Sequence, residues 1–517
     1  MFIDGKKNCP EKNCNFFISD RFLWLIISFG VILYFRQYLY NRSLWFDEAM
    51  LSLDIIRTPM SAFLHQPLYD LQIAPVGFLV IEKVLISLFG TSEYALRLFP
   101  FLTGLLSLWL FFRLARTYFN LEFTAFALFI FVVTPSLVYY SSEVKQYGID
   151  VFCVLLAYLA IAGPCLKQLD WNTARNAGLL GAFMIWFSFP IIFVLLGMIL
   201  AFLSMSLIQK DRSQSIKLGV IFICWLVSYA LNYVLLLNNF SQIKHTGNFW
   251  QTGFISFTDY GSWFRFFKDA FLYPVGAFDN SKITGAFFLL GGYSFFKQDK
   301  RIFLILIVPL LIVFFVCGLH LYSGKGRLIL FLAPSMLLLI LKGIETISLK
   351  TGRWRIIVAL LLTAVTFYNS IRFTTREFLQ PKGNEEIRTV ISYVKQNLKP
   401  EDLVYVYYGA VPGFKYYNFD RGFFFRDYIN EEWAEGQPAR LIGDLKGLRG
   451  FKRAWMLFSH LSHTQIKGMS DEDYILHYVA GSGGKALDHF SSKEAEVFLF
   501  DLGDFRMSNN PDKGIPM

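Results

Sequence analysis

The sequence predicts a polytopic α-helical membrane protein of about eleven transmembrane helices with a small C-terminal α/β domain. Three observations predict it. Of the 517 residues, 55% are hydrophobic and only 17% charged, against about 25% charged in an average soluble domain. The apolar residues run in long stretches instead of alternating, which favours helices over a β-barrel. After Phe378 the composition turns mixed and charged, without a long apolar run. Disorder, coiled coil, collagen and a small disulfide scaffold are excluded by the same composition.

A span takes about 20 mostly apolar residues. Such stretches fall at 22–40, 97–112, 123–140, 147–163, 174–187, 191–207, 217–237, 281–296, 302–320, 328–341 and 356–371, some of them short. Val76 to Gly90 is also apolar, but it is brief and carries Glu82 and Lys83 at its middle. If it lies in the interface, the inside segments hold 18 Lys/Arg in 72 residues and the short outside segments hold 9 in 116. Cytoplasmic loops collect Lys and Arg, so this bias places the N-terminus inside and the C-terminus outside. A crossing at 76–90 would reverse every later basic cluster. The expected organisation is a cytoplasmic tail (1–21), a membrane domain (22–378) with its first external loop at 41–96, and an extracytoplasmic α/β domain (379–517).

The same loop bias accounts for the net charge of +10 and the isoelectric point near 9.1, so nucleic acid is not an expected partner. The apolar run after Arg21 lacks a small-residue cleavage site and is read as a retained span. Cys153, Cys165, Cys224 and Cys317 lie in or beside apolar runs. Cys9 and Cys14 form a C-x4-C without His, a weak metal signal.

In the tail, Ile387, Val390, Ile391, Val394 and Leu398 recur at helical spacing, and Pro400 ends that helix. Leu403 to Tyr408, Ala454 to Phe458 and Val497 to Leu502 read as strands. Val411 to Asn418 and stretches near 440–448 and 471–478 read as helical. Alternating helix and strand argues for a small α/β domain. Gly481-Ser482-Gly483-Gly484-Lys485 resembles a phosphate loop, but the spacing is wrong and Ala486 replaces the needed hydroxyl, so a plain turn is expected. The tail contains no catalytic constellation; a lid, docking or packing role is expected of it.

Asp47 and Glu48 follow the first span. Adjacent carboxylates at a membrane mouth are costly if buried; the alternative is a solvated helix start, where Asp and Glu are favoured. Ser141 to Tyr147 is a short polar turn carrying Glu143 and Lys145, which either pair with each other or face the first loop. His320, Tyr322, Lys325, Gly326 and Arg327 separate two spans on the outer side. Arg offers a planar fork and Lys a point charge, and both suit a phosphate; snorkelling toward headgroups is the alternative. Arg97 opens the second span and has Glu93 as a simple partner. The loop 238–280 is rich in aromatics, including Phe249, Trp250, Trp263 and Phe266, and reads as amphipathic segments lying on the bilayer.

Asp47-Glu48-Ala49, then Ala74-Pro75, then Leu88-Phe89-Gly90-Thr91-Ser92-Glu93-Tyr94-Ala95-Leu96-Arg97, with Ser141 to Tyr147 and Gly326-Arg327-Leu328 to Pro334, resemble the GT-C membrane glycosyltransferases. The branch is that of the protein O-mannosyltransferases and the lipid A aminoarabinose transferase, over roughly residues 20–375. The resemblance implies a sugar donor on polyprenyl phosphate, used at the outer face of a bacterial cytoplasmic membrane, and Asp47 as the catalytic acidic residue of the first loop. Many relatives carry a Lys before paired prolines where this chain has Gln72-Ile73-Ala74-Pro75, so Lys145, Lys325 or Arg327 must supply the cation.

The expected reaction is transfer to an acceptor hydroxyl, with Asp47 as base and inversion at the anomeric carbon. Glu48 and Glu143 are further catalytic candidates. Lys145, Lys325, Arg327 and Arg97 are candidates for the donor phosphate, and Tyr147, His320 and Tyr322 for lining the substrate. No cofactor is expected, although a divalent metal stays open; membrane lipids are expected partners, and the acceptor is open among protein, glycan and lipid. The rival class is a transporter or lipid flippase, which would want charges near the bilayer midplane and an internal repeat. A scaffold would leave the one-sided charges unexplained.

Overall fold

The computed structural model describes residues 20–69, 72–240, 251–276, 281–381, 383–419, 428–430, 437–462 and 465–507. The tail with Cys9 and Cys14, and Phe249 and Trp250, lie outside these residues.

Each of the eleven expected stretches falls on helix. Among the described residues, eight helical segments are long and apolar enough to cross a membrane: Asp20–Tyr40, Leu98–Tyr118, Tyr147–Lys167, Ile191–Ile208, Arg212–Leu235, Lys300–Gly318, Gly326–Leu349 and Gly352–Leu379. The other three differ for local reasons. Residues 123–140 divide into Leu121–Val132 and Pro135–Tyr140, because Pro135 lacks the N–H that a continuous helix needs. Trp171–Met184 has 14 residues, and Ser281–Gln298 carries Lys, Thr, Tyr and Ser among its apolar residues.

The first of these helices, α1 (Asp20–Tyr40), leads through an extended segment into α2 (Phe46–Arg57). After it comes α3 (Val76–Phe89), the brief apolar stretch with Glu82 and Lys83. Lys83 Nζ donates to the carbonyls of Ile55 and Ile56, both at 2.8 Å. It satisfies two carbonyls that the end of α2 leaves unpaired, where a cation also suits the helix dipole. That contact ties the middle of α3 to the end of α2 through Lys83.

The C-terminal region is a five-stranded mixed sheet flanked by helices, in the order β2-β1-β3-β5-β4. The strands are β1 (Leu403–Val406), β2 (Tyr428–Asn430), β3 (Arg453–Ser459), β4 (Lys485–Ser492) and β5 (Ala495–Asp501). β1 pairs in parallel with β2 and β3, while β5 runs antiparallel to β3 and β4. Alternation along the strands divides two cores. Val404, Val406, Trp455, Leu457, Val497 and Leu499 join the Ile387–Asn397 helix and the membrane-side core. Leu403, Tyr405, Met456, Phe458 and Phe500 face the helix Asp471–Gly481.

Two strands were not expected. β2 has only three residues. β4 is an edge strand whose residues are all exposed or half-buried, so it has no apolar run to betray it; pairing with β5 defines it. The glycine run at 481–485 is a turn. The amides of Ser482, Gly483 and Gly484 bond carbonyls of the preceding helix, and Lys485 pairs with Asp504 at 2.9 Å.

Candidate active site

Trp45 is extended and offers no side-chain cap to α2, so the first turn relies on Asp47 and Glu48 to complement its dipole. Adjacent residues on a helix point about 100° apart, and these two carboxylates meet different surroundings. Glu48 turns inward and is fully buried. Arg97 grips it with Nε to Oε1 at 3.1 Å and Nη2 to Oε2 at 2.8 Å. The Val144 amide donates to Oε1 at 2.9 Å, and Arg42 lies 3.9 Å away. This pair locks the first loop to the start of the second span and to the 141–147 turn.

Asp47 faces the other way and pairs with Arg327. Gly326 adopts a φ of +56°, a conformation that costs glycine little, and the turn it makes delivers Arg327 to the start of α2. The Arg327 guanidinium lies 5.1 Å from the ring of Trp45 and 5.4 Å from that of Tyr147, two faces that attract a cation. Both charged side chains keep some access, 19% for Asp47 and 15% for Arg327. Burial alone would raise the Asp47 carboxyl; Lys145, then Arg327, outweigh it and hold Asp47 below the usual carboxylate range.

Lys145 lies buried beside this pair, and its ammonium donates to Gln72 Oε1 at 2.6 Å. Gln72 belongs to the stretch Gln72-Ile73-Ala74-Pro75, within which the sequence resemblance implies a lysine. A cation therefore reaches that place from a different loop. Burial lowers the Lys145 pKa, and Asp47 opposes that shift. Glu143 is fully buried and accepts from Trp45 Nε1 at 3.2 Å. Burial, then the charge of Glu48, pushes its carboxyl up to about 7.

Residues 73–233 match the family described as dolichyl-phosphate-mannose-protein mannosyltransferase. Most of the structure superimposes on the crystal structure of ArnT from Cupriavidus metallidurans in the apo state. The TM-score is 0.58 at 13% identity, over 93% of this chain and 98% of that one. The chain has the fold of ArnT. ArnT bound to undecaprenyl phosphate gives a TM-score of 0.57 at 12% identity, over 95% and 100% of the two chains. The apo oligosaccharyltransferase of Archaeoglobus fulgidus gives 0.54 at 11% identity, over 93% and 75%. No curated protein sequence matches this chain. The architecture expected from the sequence, a polytopic helical domain followed by a small α/β region, is thus present.

Within the ArnT-like fold, Asp47, Glu143, Lys145, Tyr147 and Arg327 form one cluster, and the remaining candidates go elsewhere. Arg97 and Glu48 satisfy each other in the interior, so Arg97 does not offer itself to a phosphate, and Glu48 acts on the cluster only through its charge on Glu143 and Lys145. Lys325, close in sequence to Arg327, helps Lys268 oppose the rise that burial gives the Asp269 carboxyl. His320 is exposed and stacks on Phe254 at 4.9 Å. Tyr322 donates to the Leu328 carbonyl at 2.6 Å, bracing the turn that carries Arg327 without lining the cluster. Among the described residues, no group of three or more His, Cys, Asp or Glu is placed to hold a metal ion.

Three participants escaped the sequence reading. Trp45 walls the cluster; its place two residues before Asp47 was the available signal. Glu385 and His460 arrive from the C-terminal region, where no constellation was expected, and nothing in their sequence surroundings marks them.

Proposed function

We propose that this protein is a membrane glycosyltransferase that moves a sugar from a polyprenyl-phosphate donor to an acceptor hydroxyl at the outer membrane face. The observation that carries the proposal is the convergence of one carboxylate, Asp47, with two cations, Arg327 and Lys145, inside walls of Trp45 and Tyr147. The ArnT fold and the capture of undecaprenyl phosphate by that relative support the choice of donor.

The chemistry follows from these groups. Asp47 takes the proton of the acceptor hydroxyl while that oxygen attacks the anomeric carbon; such help contributes about 10²–10⁴-fold. The bond from the anomeric carbon to the phosphate oxygen breaks, and its electron pair leaves with the lipid phosphate. Arg327 and Lys145 stabilise that charge from fixed positions. A single displacement inverts the anomeric centre. The donor phosphate also draws Arg327 and Lys145 away from Asp47. Their depressing effect on the carboxyl weakens, so donor binding makes Asp47 a better base. The Lys/Arg bias of the loops supports an extracytoplasmic site, and the sequence resemblance supports a bacterial cytoplasmic membrane as its location. No metal is assigned a role.

The test is transfer by the purified, reconstituted protein, supplied with the polyprenyl-phosphate-linked sugars extracted from the producing membranes. Loss of one such lipid with release of free polyprenyl phosphate supports the proposal. Passage of intact lipid-linked sugar across the bilayer without bond cleavage would point to a flippase.

A further inference from the structure

Residues 41–45 have no regular secondary structure, yet they set where α2 begins and so where Asp47 sits. The C-terminal region holds them at successive points. Ser43 Oγ donates to Glu386 Oε2 at 2.8 Å, and the Leu44 amide donates to Tyr417 Oη at 2.8 Å. The Phe46 amide, an N–H that the helix itself leaves unpaired, donates to Glu385 Oε2 at 2.9 Å. The other Glu385 oxygen lies 2.7 Å from His460 Nδ1. The His460 ring stacks on Phe46, 4.2 Å between centroids and 6° from parallel.

His460 is placed with unusual care. It follows β3 directly and holds a φ of +50°, a region that non-glycine residues rarely occupy. Backbone strain of this kind persists only where surrounding structure enforces it. Gly409, in the turn after β1, makes the approach possible: a Cβ there would come within 2.4 Å of the His460 carbonyl oxygen. The β4–β5 turn braces the partner segment, with the Lys493 carbonyl accepting from the Glu386 amide at 2.9 Å.

We propose that His460 is a positioning residue for Asp47. Together with Glu385 it clamps the first turn of α2, so the C-terminal domain completes the active site instead of only covering it. This rests on the assignment of Asp47 as the base. Arg327 and Lys145, which meet the donor phosphate, lie outside the clamp. Loss of the clamp therefore slows the chemical step and leaves donor binding intact.

The experiment uses the full chain with the extracted polyprenyl-phosphate-linked sugars for turnover and undecaprenyl phosphate for binding. Rates are taken per folded molecule. His460→Ala should lower kcat by about tenfold or more with the donor KM and the undecaprenyl phosphate affinity within twofold of wild type. His460→Asn keeps a donor for Glu385 and tolerates the left-handed backbone, so it should recover most of kcat. Glu385→Ala should match His460→Ala, and the double variant should be no worse than either single one, as for groups acting as one unit. A normal kcat in folded His460→Ala, or a loss confined to KM, overturns the proposal. So does an additive double variant. Asp47→Asn separates the two levels. If it stays active, the base assignment falls; if it is inactive while His460→Ala is normal, only the clamp falls.

Discussion

Glu48 and Arg97 meet in a two-point ion pair, 2.8 and 3.1 Å long, from which solvent is excluded. Its neighbour Asp47 lies at the mouth of the same helix with part of its surface open. One residue step separates a fully buried carboxylate from a partly open one, and the difference is testable.

Breaking a buried pair leaves an unpaired charge and costs about 3–5 kcal/mol. Glu48→Gln or Arg97→Ala should therefore lower folded yield and thermal stability sharply. The donor lipid should not restore them. Normal unfolding temperatures in both variants would show that the pair is not holding the first loop.

Asp47→Asn keeps the shape of the side chain and removes the base. Turnover should fall by at least about a hundredfold, with normal insertion and with undecaprenyl phosphate still bound. Near wild-type turnover in the purified variant sinks the assignment.

Arg327→Ala should weaken lipid-phosphate binding and slow transfer, by about 3 kcal/mol in the transition state. Arg327→Lys should recover only part, because an ammonium cannot hold two phosphate oxygens in one plane. If both variants match wild type per folded molecule, Arg327 is an interface anchor.

Lys145 and Gln72 share one place, with Nζ 2.6 Å from Oε1. Lys145→Gln should cut activity, and adding Gln72→Lys should restore much of it by returning the cation from the other loop. Lys145 also depresses the Asp47 carboxyl. The acid limb of kcat/KM should thus lie below the ordinary carboxylate range in wild type and move upward in Lys145→Gln. An unmoved limb would separate Lys145 from Asp47.

Burial, then the charge of Glu48, pushes the folded Glu143 carboxyl from its usual 4.5 up to about 7. Between those values the native protein binds more protons than the unfolded chain, so this group makes stability fall as pH rises, levelling off above about 7. Glu143→Gln removes that penalty while leaving an acceptor for Trp45. It should unfold at a higher temperature than wild type at pH 8 and at a similar one at pH 5. Equal curves at both values would mean that Glu143 is not held protonated.

Much of the fold was legible because its signals are local. Apolar runs the length of a bilayer have to be helices, since backbone polar groups in lipid need internal partners, and every expected stretch proved helical. The spacing of Ile387, Val390, Ile391 and Val394 placed a helix whose four residues are all buried. The strands β1, β3 and β5 were readable because they are apolar. β4 was not, since an exposed edge strand is defined by its hydrogen bonds to a neighbour, a contact that sequence does not carry.

The site divides in the same way. The sequence by itself determined which charges lie near the ends of the spans, and the order in which their motifs occur. Tertiary structure decided which of them meet. It sent Glu48 inward and Asp47 outward, because adjacent helix positions face different surroundings. It gave Arg327 to Asp47 and set Lys325 near enough to Asp269 to act on its charge, with Gly326 at a φ of +56° between the two cations. It brought Glu385 and His460 to α2 across more than 330 and 410 residues of sequence, since a docked domain is specified by the complementarity of two finished surfaces, and neither surface exists until its own part of the chain has folded.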